Sequence, residues 1–208
     1  MRIACAMAVA AVVSTAGSVF ADVAVTNENN GDGGTISFIV GDILRTTSFT
    51  VGPAGATINS VTMRVANRDG IGSTFGYTCE IFSDAGGMPG SPIATFGVNN
   101  HLQTTPLFET ITFTTAGLNV SANTTYWVVM GAAPGSSSGG GDWLGSQIPN
   151  ETSTLGWTIG NTNSFYFPGP GWVPNGNNPG RFTINITPTP GAAALLGIGG
   201  LMASRRRR

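Results

Sequence analysis

Few side chains in this sequence could do chemistry. There is one histidine, His101, in Asn99-Asn100-His101-Leu102-Gln103, and there are two cysteines, Cys5 and Cys79. All nine basic residues are arginines, and the absence of lysine excludes Schiff-base and P-loop chemistry. A Ser-His-acid constellation needs its histidine between a nucleophile and an orienting carboxylate. His101 stands on a polar stretch that reads as a loop, with no Gly-x-Ser-x-Gly elbow beside it. A zinc site would have to be assembled from that one His, one Cys and scattered carboxylates. Paired carboxylates are the chemistry of glycoside hydrolysis. The ten Asp and Glu residues are mostly isolated: Glu80 is mid-strand, Glu109 precedes a strand, and Asp142 adjoins Trp143. The reading is therefore non-enzymatic, and a glycan-active enzyme is the least favoured alternative.

Binding has more to work with. Trp143, Trp157, Phe165, Tyr166, Phe167 and Trp172 crowd a region rich in Gly, Asn and Pro. Flat rings on polar loops can stack on the C–H faces of a pyranose. Trp143, Tyr166 and Trp172 are the candidates for sugar stacking, and Trp127 is assigned to the core. No cofactor is expected. Residues 27–32 (Asn-Glu-Asn-Asn-Gly-Asp) and 67–69 (Asn-Arg-Asp) are oxygen-rich turns that could hold a structural calcium ion. Neither has EF-hand spacing, because the twelfth position from Asn27 is Phe38. Ordinary Asn/Asp/Gly turns account for both without an ion.

The elements that must position these groups read as strands. Short β-branched or alternating runs at 35–40, 43–51, 58–65, 76–82, 93–96, 110–115, 125–130, 156–159, 164–167 and 181–187 are separated by Gly, Pro, Asn and Ser clusters, with no 3.6-residue apolar period. Val61, Met63 and Val65 alternate with Thr62 and Arg64, and Phe182, Ile184 and Ile186 alternate with Thr183, Asn185 and Thr187. Residues 124–130 are apolar on both sides and read as a central strand. Tyr77, Cys79 and Ile81 share one face, so the Cys79 thiol is expected to be buried and Glu80 solvated. The Gly/Ser run 134–141 reads as a loop within the domain. Residues 22–187 are thus expected to form one all-β domain, an antiparallel β-sandwich of jelly-roll-like type.

The two ends read as addresses. Arg2, an apolar run and the small-residue ending before Ala21 and Asp22 have the layout of a secretory signal peptide over residues 1–21, cleaved between those two. Cys79 is then the one cysteine left, so no intramolecular disulfide is expected. Residues 188–208 hold Pro188-Thr189-Pro190, a Gly/Ala/Leu-rich stretch, and Arg205, Arg206, Arg207 and Arg208. The stretch from 191 to 204 would extend roughly 21 Å as a helix, and the arginine cluster would keep its end cytoplasmic. This tail resembles the PEP-CTERM sorting signal of Gram-negative bacteria, with Thr189 where that family has Glu. The resemblance implies transient inner-membrane anchoring through the helix, recognition by an exosortase after passage through the secretion machinery, and delivery to the cell surface or extracellular matrix.

A second resemblance lies in the body. Residues 60–65, 77–84 and 87–95, followed by Asn123-Thr-Thr-Tyr-Trp127 and two valines, are similar to the choice-anchor R domain. That resemblance implies a β-rich exported body and no transferable activity. Charge agrees with it. The chain is only 9% charged, and without Arg2 and the terminal four, four arginines face ten carboxylates, a net of −6. A nucleic-acid partner is excluded on that balance, since phosphate binding needs a basic face. The expected function is that of an exported, surface- or matrix-associated, non-enzymatic protein. The alternative is a carbohydrate-binding module for extracellular polysaccharide.

Overall fold

Side-chain alternation sets the architecture. The computed structural model describes residues 22–28, 36–146, 153, 155–176 and 178–188, and among these there are twelve strands and no helix. They are β1 (Asp22–Thr26), β2 (Ile36–Ile39), β3 (Leu44–Thr50), β4 (Ala56–Asn67), β5 (Thr74–Asp84), β6 (Pro89–Leu102), β7 (Glu109–Val120), β8 (Thr125–Ala132), β9 (Gly141–Leu144), β10 (Thr158–Phe167), β11 (Gly171–Pro174) and β12 (Phe182–Pro188).

Eight strands form nested antiparallel pairs: β1 with β12, β3 with β8, β4 with β7, and β5 with β6. Nesting of this kind is one long hairpin rolled on itself, the jelly roll of two Greek keys. The first sheet runs β1-β12-β4-β7 and the second runs β3-β8-β5-β6. Val65 pairs with Glu109 of β7 on one side and with Trp143 of β9 on the other, so β9 continues the line of β12 along β4. Beyond β9 lies β2, and the second sheet is extended past β3 by β10 and β11. The expected all-β sandwich is the fold. Its sequence-read strands are present, with β1, β9 and β11 in addition, and 156–159 and 164–167 lie on a single strand, β10, whose pairing with β3 shifts register between Ile159 and Asn163.

Between the sheets lies a continuous apolar core. Ile58, Val61, Met63 and Val65 of β4 and Phe182, Ile184 and Ile186 of β12 face Tyr77, Cys79 and Ile81 of β5 and Val128 and Met130 of β8, all buried. Burying one such side chain stabilises by roughly 1.5–3 kcal/mol. As expected, β8 is central, lying between β3 and β5 with both its faces covered.

The outer faces of the two sheets differ sharply. On the first sheet, Thr26, Thr183, Thr62 and Thr112 stand in one row across β1, β12, β4 and β7. Hydroxyl pairs close Thr26 to Thr183 at 2.6 Å and Thr62 to Thr112 at 3.1 Å. Asn185 Nδ2 donates to Ser60 Oγ in the next row. Such a face is what a sheet with one wet side requires. The second sheet instead carries Leu44, Phe82, Trp127, Val129 and Trp172 as a separate apolar cluster on its outside.

Candidate functional site

His101 lies near the C-terminal end of β6, not on a loop, and the fold places it beside β7. Its Nε2 is 2.9 Å from Glu109 Oε2, in an orientation that makes no hydrogen bond. The Thr104 hydroxyl and backbone N–H both donate to Glu109, and these hydrogen bonds hold its carboxyl below the usual carboxylate range. The carboxylate thus sits between hydroxyl and imidazole. Activating a hydroxyl needs the imidazole in the middle, so this trio is a structural clasp on the β6–β7 connection.

Beside it is a buried polar knot. Asn67 Nδ2 donates to Ser73 O at 3.0 Å and His101 O at 2.9 Å, while its backbone N–H donates to Gln103 Oε1 at 2.7 Å. The Tyr77 hydroxyl reaches Ala66 O at 2.8 Å and Asn67 Oδ1 at 3.1 Å. Gln103 Nε2 in turn donates to Thr105 O and Leu107 O. Asn67 therefore spends its side chain on the protein, and in the same turn Asp69 accepts from Ser137 Oγ. In the other oxygen-rich turn, Asn27 donates to Gly180 O and accepts from Phe182 N, and residues 29–32 lie outside the described residues. Burial raises the Glu28 carboxyl to about 7 against the pull of Arg64 and Arg181. Among the described residues no group of three His, Cys, Asp or Glu side chains converges.

Asp142 accepts from Arg68 Nε at 2.9 Å, and the Arg68 guanidinium lies 4.0 Å over the Phe38 ring. Burial raises the Asp142 carboxyl despite that arginine. A cleft of about 270 Å³ between Gly41–Asp42 and residues 132–136 has Asp42 as its one ionisable lining side chain. Cys79 is fully buried, and desolvation pushes its thiol well above the ordinary range. A thiol that is neither exposed nor ionised cannot attack. Cys79 should stay unreactive toward a disulfide reagent such as dithionitrobenzoate in the folded protein and react completely in denaturant. Rapid labelling under native conditions would show the strand to be open.

The three rings proposed for stacking are split by the fold. Trp143 is buried, contrary to expectation. It fills the seam where β9 and β12 meet end to end, and its Nε1 donates to Arg181 O at 2.7 Å. Its Gly/Ser/Asp surroundings read as a loop, but pairing to both β4 and β2 turns it inward. Tyr166 and Trp172 are half-buried cross-strand partners on β10 and β11, with centroids 5.4 Å apart. Trp172 meets Phe82 edge-on at 5.9 Å, and Phe82 pairs with Trp127 across β5 and β8. The tip of the β5–β6 hairpin closes over Trp127: Asp84 Oδ1 accepts its Nε1–H at 2.8 Å, and Met88 Sδ lies 3.8 Å from Ser164 Oγ of β10. Trp127 is buried as expected, but on the outer side of its sheet. Adjacent apolar pairs, Ile81-Phe82 and Trp127-Val128-Val129, were the available signal, since a strand with both faces apolar is covered on both.

Pro188 closes β12 and Asp22 opens β1. Ala21, Thr189, Pro190 and Arg205, Arg206, Arg207 and Arg208 lie outside the described residues. Among the described residues no helix is long and apolar enough to cross a membrane. Comparison with protein-family models and with curated proteins finds no match.

Proposed function

We propose that this protein is an exported, non-enzymatic constituent of the cell surface or extracellular matrix of a Gram-negative bacterium. A leader directs it to the secretion machinery, its C-terminal segment anchors it briefly in the inner membrane, and an exosortase-type enzyme releases the body. The observation that carries this reading is that the first and last described strands pair with each other. β1 and β12 are neighbours, with Asp22 opposite Ile186, so the segments read as leader and sorting tail are joined to one edge of the described sandwich. Removing residues 1–21 and 189–208 would leave every strand pair among the described residues in place. The ionisable groups support the non-enzymatic part of the reading. Glu109 is held by Thr104 and lies against His101, Asp142 is held by Arg68, and Cys79 is sealed in the core. No cofactor is needed for such a role.

Mass spectrometry of the protein recovered from its native surface should give a chain that begins at Asp22 and lacks Arg205–Arg208. A mature chain that retains those arginines would overturn the processing.

A further inference from the structure

We propose that the outer face of the second sheet is a binding site for a neutral polysaccharide, centred on Trp172 and Tyr166. The proposal rests on the reading that the protein works in the extracellular polysaccharide layer. It starts from the contrast between the two outer faces. The first sheet meets water with rows of threonine, serine and asparagine, so this chain can make a polar sheet face. The second sheet places Trp172, Tyr166 and Leu44 in register on its outside, next to Phe82 and Trp127. Covering Trp127 explains the inner members of that group. Trp172 also packs against that group through Phe82, but it and Tyr166 remain only half-buried at the edge.

The charges on this face select the ligand. Glu80, accepting from Thr95 Oγ1, and Asp84 are its acidic groups. Among the described residues no arginine joins them: Arg45, on β3, is turned to the opposite face, donating to Phe38 O and lying 5.0 Å over the Phe165 ring. Arg64 and Arg68 belong to β4 and the turn after it, and Arg181 precedes β12. An anionic glycan or a nucleic acid would meet carboxylates and no counter-charge. A neutral sugar presents C–H faces to the rings and hydroxyl donors to the carboxylates.

The scaffold is stiff where binding would need it. The β10–β11 turn is Pro168-Gly169-Pro170, with positive φ at Gly169 and Gly171 (106° and 80°), so Trp172 is held on a short turn braced by two prolines. A ring already fixed loses little freedom on binding.

The test uses the full chain, expressed with leader and tail and purified in mild detergent. It is titrated with cellohexaose, laminarihexaose, mannohexaose and an alginate oligosaccharide, with tryptophan fluorescence and calorimetry as readouts. At least one neutral hexasaccharide should bind with a Kd below about 1 mM. Trp172→Leu, which keeps an apolar cover over Phe82 but removes the flat ring, should weaken it about tenfold. If that variant does not fold, Tyr166→Leu carries the same comparison, since Tyr166 lies outside the Trp127 cluster. Absence of binding by every neutral sugar, unchanged binding in the folded variants, or equal binding of alginate would each overturn the proposal. A tail retained on the mature protein would sink the sorting reading and leave this titration untouched.

Discussion

Trp143→Ala should destabilise the sandwich by about 3–5 kcal/mol, the range for removing a large aromatic side chain from a core. Four features put it at the upper end. The indole is fully buried, so the whole ring volume becomes a cavity. It sits at a seam where β9 and β12 share the line along β4, and cross-strand pairs to Val65 and Ser37 hold the backbone on both sides. Collapse into the space would therefore have to break pairing. Gly180 packs directly on the ring and has no side chain to move in. The indole N–H also donates to Arg181 O at 2.7 Å, a buried hydrogen bond that the alanine removes. Trp143→Phe separates these contributions: it keeps most of the volume and loses the donor, and should cost about 1–3 kcal/mol. Urea unfolding followed by circular dichroism would measure both, with an unchanged m-value as the check that stability alone has moved. An alanine variant as stable as the parent would mean that Trp143 is a surface ring.

The strands that could be read from the sequence are those whose own alternation matches their burial. β4 and β12 are of this kind, because each has a deep face and a wet face, and the apolar period of two records it. β9 and β11 could not be found in this way. Each has four residues and includes Gly, and β9 exists because β4 and β2 flank it. β1 is a five-residue strand at the edge of the described sheet, and its short apolar run directly follows the segment read as a leader. The misassignment of Trp143 has the same origin. Local composition describes how a segment behaves alone, and the burial of a four-residue strand is decided by partners remote in sequence. Tyr166 and Trp172 were legible, together with Trp143, as rings in a Gly/Asn/Pro-rich region, and the fold joins these two on one hairpin. Phe82 and Asp84, which complete that surface, come from the β5–β6 hairpin and could be placed there only by the fold. His101 and Glu109 are likewise joined by the course of β6 and β7, which no spacing rule records.

Asn67 was legible as a turn residue, and its network gives the second large effect. Asn67→Ala should cost about 2–4 kcal/mol, because the amide is 6% exposed and holds three protein groups at once. Its two N–H bonds satisfy the carbonyls of Ser73 and His101, and its carbonyl lies within reach of the Tyr77 hydroxyl. Removing it takes a donor from each of two carbonyls at the end of the β5–β6 pair, and Ser73 O is left with the Gln103 N–H alone. Asn67→Asp discriminates between shape and hydrogen bonding. The carboxylate is nearly isosteric with the amide, yet it brings no donor to either carbonyl and sets a negative charge against both. It should therefore cost at least as much as alanine at neutral pH, and part of the loss should return as the pH falls and the new carboxyl is protonated. That sign follows from linkage: burial against two carbonyls raises the folded-state pKa of the new acid, so stability is greatest below its unfolded value and declines as pH rises. A double-mutant cycle with Tyr77→Phe should show a coupling of about 0.5–3 kcal/mol. If Asn67→Asp proved as stable as the parent at pH 7, the knot would be a wet turn and not a buried joint.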